Sequence, residues 1–260
     1  MENNIIKRNV DYNCDLAQCF GVYKNETDLD LIDYMSSLNI SCGFHAGDPL
    51  SMKKVIEHCK YKNKVIGAHI GFPDIQGFGC RCVDMDEDEI EAIVIYQIGA
   101  LASFAKSYGL EIEHVRPHGA MYKMASENIS FSMAIAKAIK KFSEWLVYYG
   151  AAGSIIQNVA EHVNINIAQE VQLNRNYDYA GNIDYSQPGF TDTEKSVNRL
   201  KKLLAHSEID NLNQGFTKIE FDTIHFNNSA ANSLEIAQKA YEICVPKPVN
   251  YNKVEASGWV

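Results

Sequence analysis

Side chains that can transfer protons or bind metal ions recur just after short apolar runs in the first half of the chain. Asp15 follows the first run, and His45, His69 and His118 follow the next three. If these runs are parallel strands, their carboxyl ends meet at one edge of the sheet, and we expect the side chains to share a site. Imidazole and carboxylate groups are common general acids and bases in enzymes. The candidate catalytic residues are therefore Asp15, His45, His69 and His118.

A second set of polar side chains lies in or beside the same runs and could bind a substrate. Its members are Asn13, Asp48, Asp74, Arg81 and Arg116, of which the two arginines supply fixed positive charges for an anion. A single histidine at the end of a strand is usually structural. Three histidines, each beside a glycine at equivalent points of successive units, favour a shared site.

The same residues leave a metal site open as an alternative. Asp15, His45 and His69 would offer one carboxylate and two imidazoles, a ligand set that suits a catalytic zinc, manganese or iron ion with open coordination positions. No H-E-x-x-H motif is present to confirm such a site. The alternative is that these groups bind and deprotonate a substrate without a divalent metal.

The segment "GFPDIQGFGCR", residues 71–81, is longer and more aromatic than a minimal turn requires. Its glycines allow a ligand to approach the main chain closely. Phe72, Ile75 and Phe78 would give apolar cover, and Arg81 would give a positive charge. We therefore predict that the segment is a lid or wall of the site.

The elements that must position these residues are seven short β-rich runs, at 8–16, 37–44, 64–72, 112–117, 145–151, 165–171 and 219–226. Helical patterns join most of them, including 48–63, 84–109 and 130–142, and Asp48 and Pro49 suit the first two positions of the first helix. Alternating strands and helices predict a parallel sheet. No G-x-G-x-x-G or Walker motif favours an open nucleotide-binding sheet. We expect one domain over residues 1–260, a distorted (β/α) barrel of about seven parallel strands.

Composition limits the classes of partner. The 260 residues carry a formal net charge of -9 without a run of Lys or Arg, which argues against nucleic acid and anionic membranes as partners. The seven cysteines form no C-x-x-C pair, and the first residues resemble no secretion signal, so a reducing, cytoplasmic location is expected. The segment 245–260, with two prolines and no period, is predicted to be an extended tail.

Four motifs together resemble a known family. "VDYNCDLAQCFG", "NISCGFHAGDP", "IGAHIGFPDIQGFGCR" and "VRPHGAMY" resemble, in order and spacing, the signature blocks of the LamB/YcsF family of lactam-utilisation proteins. The resemblance implies a distorted barrel similar to that of polysaccharide deacetylases. It also implies a subunit of an ATP-dependent 5-oxoprolinase, which opens the 5-oxoproline lactam to glutamate together with two further subunits. ATP would then be a cofactor bound by this chain or by those partners.

The chain also departs from the family pattern. Gln18 stands where the family has Glu, Asn174 where it has Asp, and Asn227 and Ser229 where it has His and Asp. An amide cannot act as a proton base, so these changes matter if the replaced groups are catalytic. Three functions stay open: the oxoprolinase subunit, an independent metal-dependent amidohydrolase or deacetylase, and a protein that binds a small ligand or partner without turnover.

Overall fold

The computed structural model describes residues 9–21, 28–153, 155–213 and 215–249. Its strands in chain order are β1 (Asp11–Leu16), β2 (Ser37–Ser41), β3 (Val65–Ile70), β4 (Ile112–Pro117), β5 (Val147–Ala151), β6 (Ile167–Gln172), β7 (Asn176–Tyr177), β8 (Ile183–Asp184), β9 (Glu208–Asp210), β10 (Phe216–Lys218) and β11 (Thr223–Phe226). Seven of them close an all-parallel barrel in the order β1-β11-β6-β5-β4-β3-β2. The predicted seven-stranded barrel is confirmed, and each predicted run overlaps one barrel strand.

Helices alternate with the barrel strands. They are α1 (Asp28–Leu31), α2 (Pro49–Lys62), α3 (Glu87–Ser107), α4 (Gly119–Glu127), α5 (Ile129–Phe142), α6 (Ile156–Val163), α7 (Thr193–His206) and α8 (Ser233–Ile243). The short pairs β7–β8 and β9–β10 form two antiparallel ribbons outside the barrel. The three helices predicted from periodicity correspond to α2, α3 and α5.

Most barrel strands, with β5 as an exception, separate an apolar layer from a polar one. On β1, the alternate residues Tyr12, Cys14 and Leu16 belong to the apolar core, whereas Asp11 and Asp15 face other polar groups and are also buried. Period-2 alternation of this kind puts the two sets on opposite faces of the strand. The main apolar core therefore lies between the barrel and its helices. The barrel interior is largely polar, apart from a small apolar cluster of Val147, Tyr149 and Ala168.

Hydrogen bonds fill that interior from its lower end upward. Asp11 accepts hydrogen bonds from Ser36 and Ser37 at 2.6 and 2.7 Å. One layer higher, the Asn13 side chain donates to Thr223 at 2.7 Å and accepts from Asn39 at 2.8 Å. Buried polar groups of this kind are tolerated because they satisfy one another. The result is a polar column through the barrel.

A glycine makes room for an imidazole in this column. Gly67 and His114 are paired on β3 and β4, and a Cβ atom at Gly67 would lie 2.3 Å from the His114 ring. The ring stacks on Tyr149 with centroids 4.3 Å apart, and its Nε2 lies 2.7 Å from Asn39 Oδ1. Gly67 on β3 thus leaves the space that the His114 ring occupies inside the barrel.

Only the beginning of the predicted tail falls within the described residues, since 250–260 lie outside them. After α8, the Lys247 amide donates to the Val10 carbonyl at 2.9 Å, and Val249 packs against Val147 and Tyr149. These contacts lie beside the amino-terminal ends of β1 and β5. The described part of the tail therefore runs across the end of the barrel away from the carboxyl ends of its strands.

Helix α3 has the length and hydropathy to cross a membrane, and it is the one helix of the described residues that does. Its position gives it another role. It packs against β3, β4 and α5, and Asp86 and Glu89 cap its amino terminus with reciprocal hydrogen bonds. In this structure α3 is a barrel helix.

Candidate active site

A cavity of about 190 Å³ opens at the carboxyl ends of the barrel strands. Its charged and imidazole lining consists of Asp15, Arg116, His118, Arg175 and His225, and the remainder is mostly amide, hydroxyl and aromatic. The polar column of the barrel ends here. The cavity is in the position where parallel (β/α) barrels place their ligands.

Asp15 is the carboxylate at the base of this cavity, held at the end of β1. Arg116 lies 3.2 Å from its Oδ1, and the Nε2 atoms of His69 and His225 each lie 3.2 Å from its Oδ2. Asn39 donates to Oδ1 at 3.0 Å. Burial alone would raise the pKa of Asp15, but these neighbours hold that pKa well below its usual range. The carboxylate is therefore ionised and fixed in orientation.

Arg116 connects Asp15 to a second buried carboxylate. Its Nε and Nη2 atoms donate to the two oxygens of Glu170 at 2.7 and 2.8 Å. Burial opposes ionisation of Glu170, and Arg116 lowers the pKa of that carboxyl in spite of it. Arg116 thus has a carboxylate on each side, so its charge is already balanced within the protein. Its main effect is to position Asp15.

His69 and His118 form a hydrogen-bonded imidazole pair. His69 Nδ1 lies 3.1 Å from the Arg116 carbonyl oxygen, and His118 Nε2 lies 2.8 Å from the Phe78 carbonyl oxygen. Carbonyl oxygens only accept, so both of these nitrogens must carry protons. The two inner nitrogens, His69 Nε2 and His118 Nδ1, lie 2.9 Å apart. A hydrogen bond between them needs a third proton.

That third proton gives the pair one positive charge, opposite the negative charge of Asp15. Burial lowers the pKa of His118 to about 3. His69 Nε2 faces both His118 Nδ1, at 2.9 Å, and Asp15 Oδ2, at 3.2 Å. Both of those partners line the cavity, whereas His69 lies behind them. The three residues can pass a proton between two points of the cavity wall.

His45 supports this pair from the side. Its ring stacks on His118 with centroids 4.0 Å apart and an angle of 5° between the planes. Burial lowers the pKa of His45 well below its usual value. Its Nδ1 has no hydrogen-bond partner among the described residues, and Nε2 lies 3.2 Å from Ser41 Oγ. His45 is part of the cluster but does not line the cavity.

The arrangement of these rings bears on the predicted metal site. The structure gathers one nitrogen each of His45, His69 and His118 within 4.8 Å of one another. The third member of this cluster is His118, whereas the predicted ligand set had Asp15 in that place. A metal ion must lie near the plane of each imidazole that binds it, at about 2.0–2.1 Å from the nitrogen for zinc. The stacked planes of His45 and His118 cannot both contain one ion. In this conformation the three rings do not fit a shared metal.

The predicted substrate-binding residues are distributed over several places. Arg116 lines the cavity, whereas Asn13 lies below it in the polar column. Asp48 caps α2 by accepting from the amides of Leu50 and Ser51, and hydrogen bonds from the backbone, first that of Ser51, lower its pKa. Direct substrate binding by Asp48 stays a prediction, but its Oδ1 is engaged in the cap and its Oδ2 accepts from the Gly21 amide at 3.1 Å.

Asp74 and Arg81 bind each other within the segment 71–81. Arg81 donates to both oxygens of Asp74, and this contact first of all lowers the pKa of Asp74 to about 2. Neither side chain lines the cavity. The segment itself does form part of the cavity wall, through Phe78 and Cys80. Its predicted role as a wall agrees with this position. The Arg81 side chain, however, binds Asp74 and does not line the cavity.

Three charged or imidazole residues of the site were not identified from the sequence. His225 and Glu170 lie on barrel strands that were predicted, and Arg175 follows the sixth strand. Alternation along "TIHF" and "IAQEVQ" would have placed His225 and Glu170 on the polar face beside Asp15. His114 also has H-x-x-x-H spacing with His118, but the strand places His114 inside the barrel, on Asn39.

The four amide and hydroxyl residues that depart from the family pattern all line the cavity. They are Gln18, Asn174, Asn227 and Ser229. Together with Gln172 and Asn228 they give the cavity a wall of neutral hydrogen-bonding groups. Such a wall can both donate to and accept from an amide ligand.

Comparison with known proteins agrees with the fold and motifs. The family model of the LamB/YcsF family matches residues 10–257. The A subunit of 5-oxoprolinase from Tolumonas auensis is 36% identical over 233 residues, which cover 88% of this chain and 93% of that protein. A protein of the same name from Bacillus subtilis (strain 168) is 37% identical over 233 residues, covering 88% and 91%. The crystal structure of a lactam utilization protein from Thermus thermophilus superposes with a TM-score of 0.87 at 30% identity, covering 93% of this chain and all of that one (100%). The chain therefore belongs to the LamB/YcsF family.

Proposed function

We propose that this chain is the lactam-binding subunit of an ATP-dependent 5-oxoprolinase, in which it holds the ring and moves protons while the amide bond is opened. The observation that supports this most directly is the cluster of Asp15, His69 and His118 at the base of a small cavity with amide walls. Relatives named as the A subunit of 5-oxoprolinase match most of the chain at 36–37% identity.

The reaction needs an activated carbonyl and two proton transfers. A five-membered lactam is a stable amide, and transfer of the ATP γ-phosphoryl group to its oxygen makes the ring carbon a better electrophile. Addition of water and breakage of the carbon–nitrogen bond would leave an acyl phosphate and a free amine. A second water would then release phosphate and glutamate.

The residues of this chain suit the proton transfers of these steps. The ionised carboxylate of Asp15 would accept a proton from the attacking water. His118, which receives its inner hydrogen bond from His69, would supply a proton to the leaving nitrogen and recover one from His69. Arg116 would keep Asp15 in place throughout.

The size of the cavity favours a division of labour between subunits. Pockets for drug-sized ligands usually measure about 300–1,000 Å³, and this cavity of about 190 Å³ suits a molecule the size of an amino acid. We therefore assign ATP to a surface completed by partner subunits, of which the family resemblance implies two. Since ATP is an intracellular nucleotide and the odd cysteine count is typical of a reducing compartment, we place the reaction in the cytoplasm.

The test is reconstitution with the native partner subunits. We expect glutamate and phosphate to be released only when this chain, its partners, ATP and 5-oxoproline are all present. Each component is omitted in turn, and both products are measured in the same samples. Release of both products without this chain would contradict the proposal, as would lactam opening without ATP.

A further inference from the structure

Two guanidinium groups line the cavity, and they differ in their partners. Arg116 is bound by Asp15 and Glu170. Arg175, on the loop between β6 and β7, has no carboxylate partner within the part of the chain that the structure describes. Its guanidinium lies beside the Tyr185 ring, 5.9 Å from the centroid. Arg175 therefore brings a positive charge to the cavity that the protein does not neutralise by direct contact.

The backbone that carries Arg175 is fixed by another arginine. Arg199, on α7, donates from Nη1 to the carbonyl oxygens of Leu173, at 3.1 Å, and of Arg175. Its Nε and Nη2 atoms bind the Asp210 carboxylate at 3.0 and 2.6 Å. Arg199 is only 2% exposed. The loop is thus held in place before a ligand arrives, which reduces the ordering needed on binding.

The charges around the cavity indicate what kind of ligand would complete it. Asp15 contributes the one carboxylate of the described lining, and Arg116 already faces it. The amides of the wall are neutral, so the positive charge of Arg175 has no carboxylate opposite it in the described lining. An arginine fork matches the geometry of a carboxylate and binds it with two parallel hydrogen bonds.

We propose that Arg175 binds the carboxylate of the substrate, so that the cavity selects a small cyclic amide bearing a carboxylate over the same ring without one. This inference rests on the proposed function, because it places the ring amide toward Asp15 and His118. Arg175 is then a specificity-determining residue, and the Tyr185 ring and the Arg199 contacts keep it in position.

The experiment compares two ligands that differ in the carboxylate alone. These are 5-oxoproline and 2-pyrrolidinone, whose binding to the purified full chain is measured by calorimetry or ligand-observed NMR. For Arg175→Gln we expect a loss of about 10- to 100-fold in affinity for 5-oxoproline, the range of hydrogen bonds to charged groups. Affinity for 2-pyrrolidinone should stay within about twofold. Arg175→Lys should restore part of the loss because it keeps the charge without the fork.

A further variant separates a direct contact from a general effect of charge. Lys123 also lies beside the Tyr185 ring, 5.5 Å from the centroid, but outside the cavity lining, so Lys123→Gln should leave both affinities unchanged. Equal losses for both ligands in Arg175→Gln, or no preference for 5-oxoproline in the parent chain, would overturn the inference.

The KM of the reconstituted enzyme distinguishes failure of this inference from failure of the proposed function. Turnover of 5-oxoproline with an unchanged KM in Arg175→Gln would leave the function standing and remove the role of Arg175. Binding of 5-oxoproline that depends on Arg175, in an enzyme that does not open the ring, would support the carboxylate site and contradict the function.

Discussion

The protonation states of individual side chains decide what this site can do. Asp15 is held ionised by its neighbours, His118 is held neutral by burial, and His69 Nε2 lies between them, 2.9 Å from His118 Nδ1 and 3.2 Å from Asp15 Oδ2. Acidic and basic groups with separated pKa values are a common arrangement in acid–base catalysis. The proposed proton transfer therefore depends most on Asp15 and His118, the two side chains at the ends of this hydrogen-bonded series.

Replacing His118 by alanine should reduce kcat of the reconstituted enzyme by about 10²- to 10⁴-fold, the usual range for loss of a general acid or base. KM for 5-oxoproline should change little, because the proposed carboxylate contact lies at Arg175. Steady-state glutamate release measures both quantities. His58→Ala, an exposed substitution on α2, is the control. A kcat within threefold of the parent would contradict the proton-transfer role.

The stacking of His45 on His118 leads to an expectation about metal content. Because the two ring planes do not share a line of approach to one ion, we expect the purified chain to contain well below one transition-metal ion per molecule. Elemental analysis after dialysis measures this directly. One zinc, manganese or iron ion per chain that is lost in His69→Ala would contradict the expectation and restore the metal-dependent hydrolase as the better hypothesis.

The elements of the fold place these groups by pairing small residues with large ones. Gly67 on β3 leaves space for the His114 ring on β4, which in turn contacts Asn39. Asn39 is also a hydrogen-bond donor to Asp15. The strand register therefore links a glycine in the middle of the sheet to the orientation of the candidate catalytic carboxylate.

Gly67→Ala tests this arrangement. The new Cβ would meet the His114 ring at 2.3 Å, so we expect a loss of about 1–3 kcal/mol in the free energy of unfolding, as for other overpacked cores. In a His114→Ala background the same substitution should cost much less, because the clash is gone. Urea unfolding of the four proteins gives the coupling. Equal losses in both backgrounds would show that the ring does not set the requirement for glycine.

The sequence predicted the elements of the first half better than those of the second. Strong signals such as Asp48 and Pro49 at the start of α2 depend only on neighbouring residues, and α2 begins where they indicate. The hydrogen bond between His69 and His118 joins a residue of β3 to the residue that follows β4, so no local pattern could reveal it. The role of Arg199 in fixing the Arg175 loop is equally non-local. Helix capping was therefore predictable from the sequence, whereas the direction in which each candidate side chain points was not.

The whole molecule combines a polar barrel interior with an apolar layer outside it. Glu170 and Arg116 form the central ion pair of that interior, and both are buried. Arg116 lowers the pKa of Glu170 in spite of burial, whereas burial raises the pKa of Asp11 at the other end of the column. The two carboxyls therefore affect stability with opposite dependence on pH.

Glu170→Gln should destabilise the fold at pH 7 by about 3–5 kcal/mol, because it removes one partner of a buried pair. The folded-state pKa of Glu170 is below its ordinary value of 4.5, so its stabilisation is present above pH 4.5 and is lost as the pH falls toward that lower pKa. The difference in the free energy of unfolding between parent and variant should therefore narrow below pH 4.5. Urea unfolding from pH 7 to pH 3 measures it, with the exposed Glu220→Gln as control. A gap that stays constant or widens in acid would contradict the assignment.

The central claim is that this chain supplies the proton-transfer groups of a lactam-opening enzyme, and Asp15→Asn tests it most directly. The measurement is 5-oxoproline-dependent release of glutamate and phosphate by the enzyme reconstituted with its native partners, using parent and variant chains whose folding is verified by circular dichroism. We expect turnover in the parent and a kcat at least 10²-fold lower in the folded variant. Equal turnover in a folded Asp15→Asn enzyme would contradict the claim.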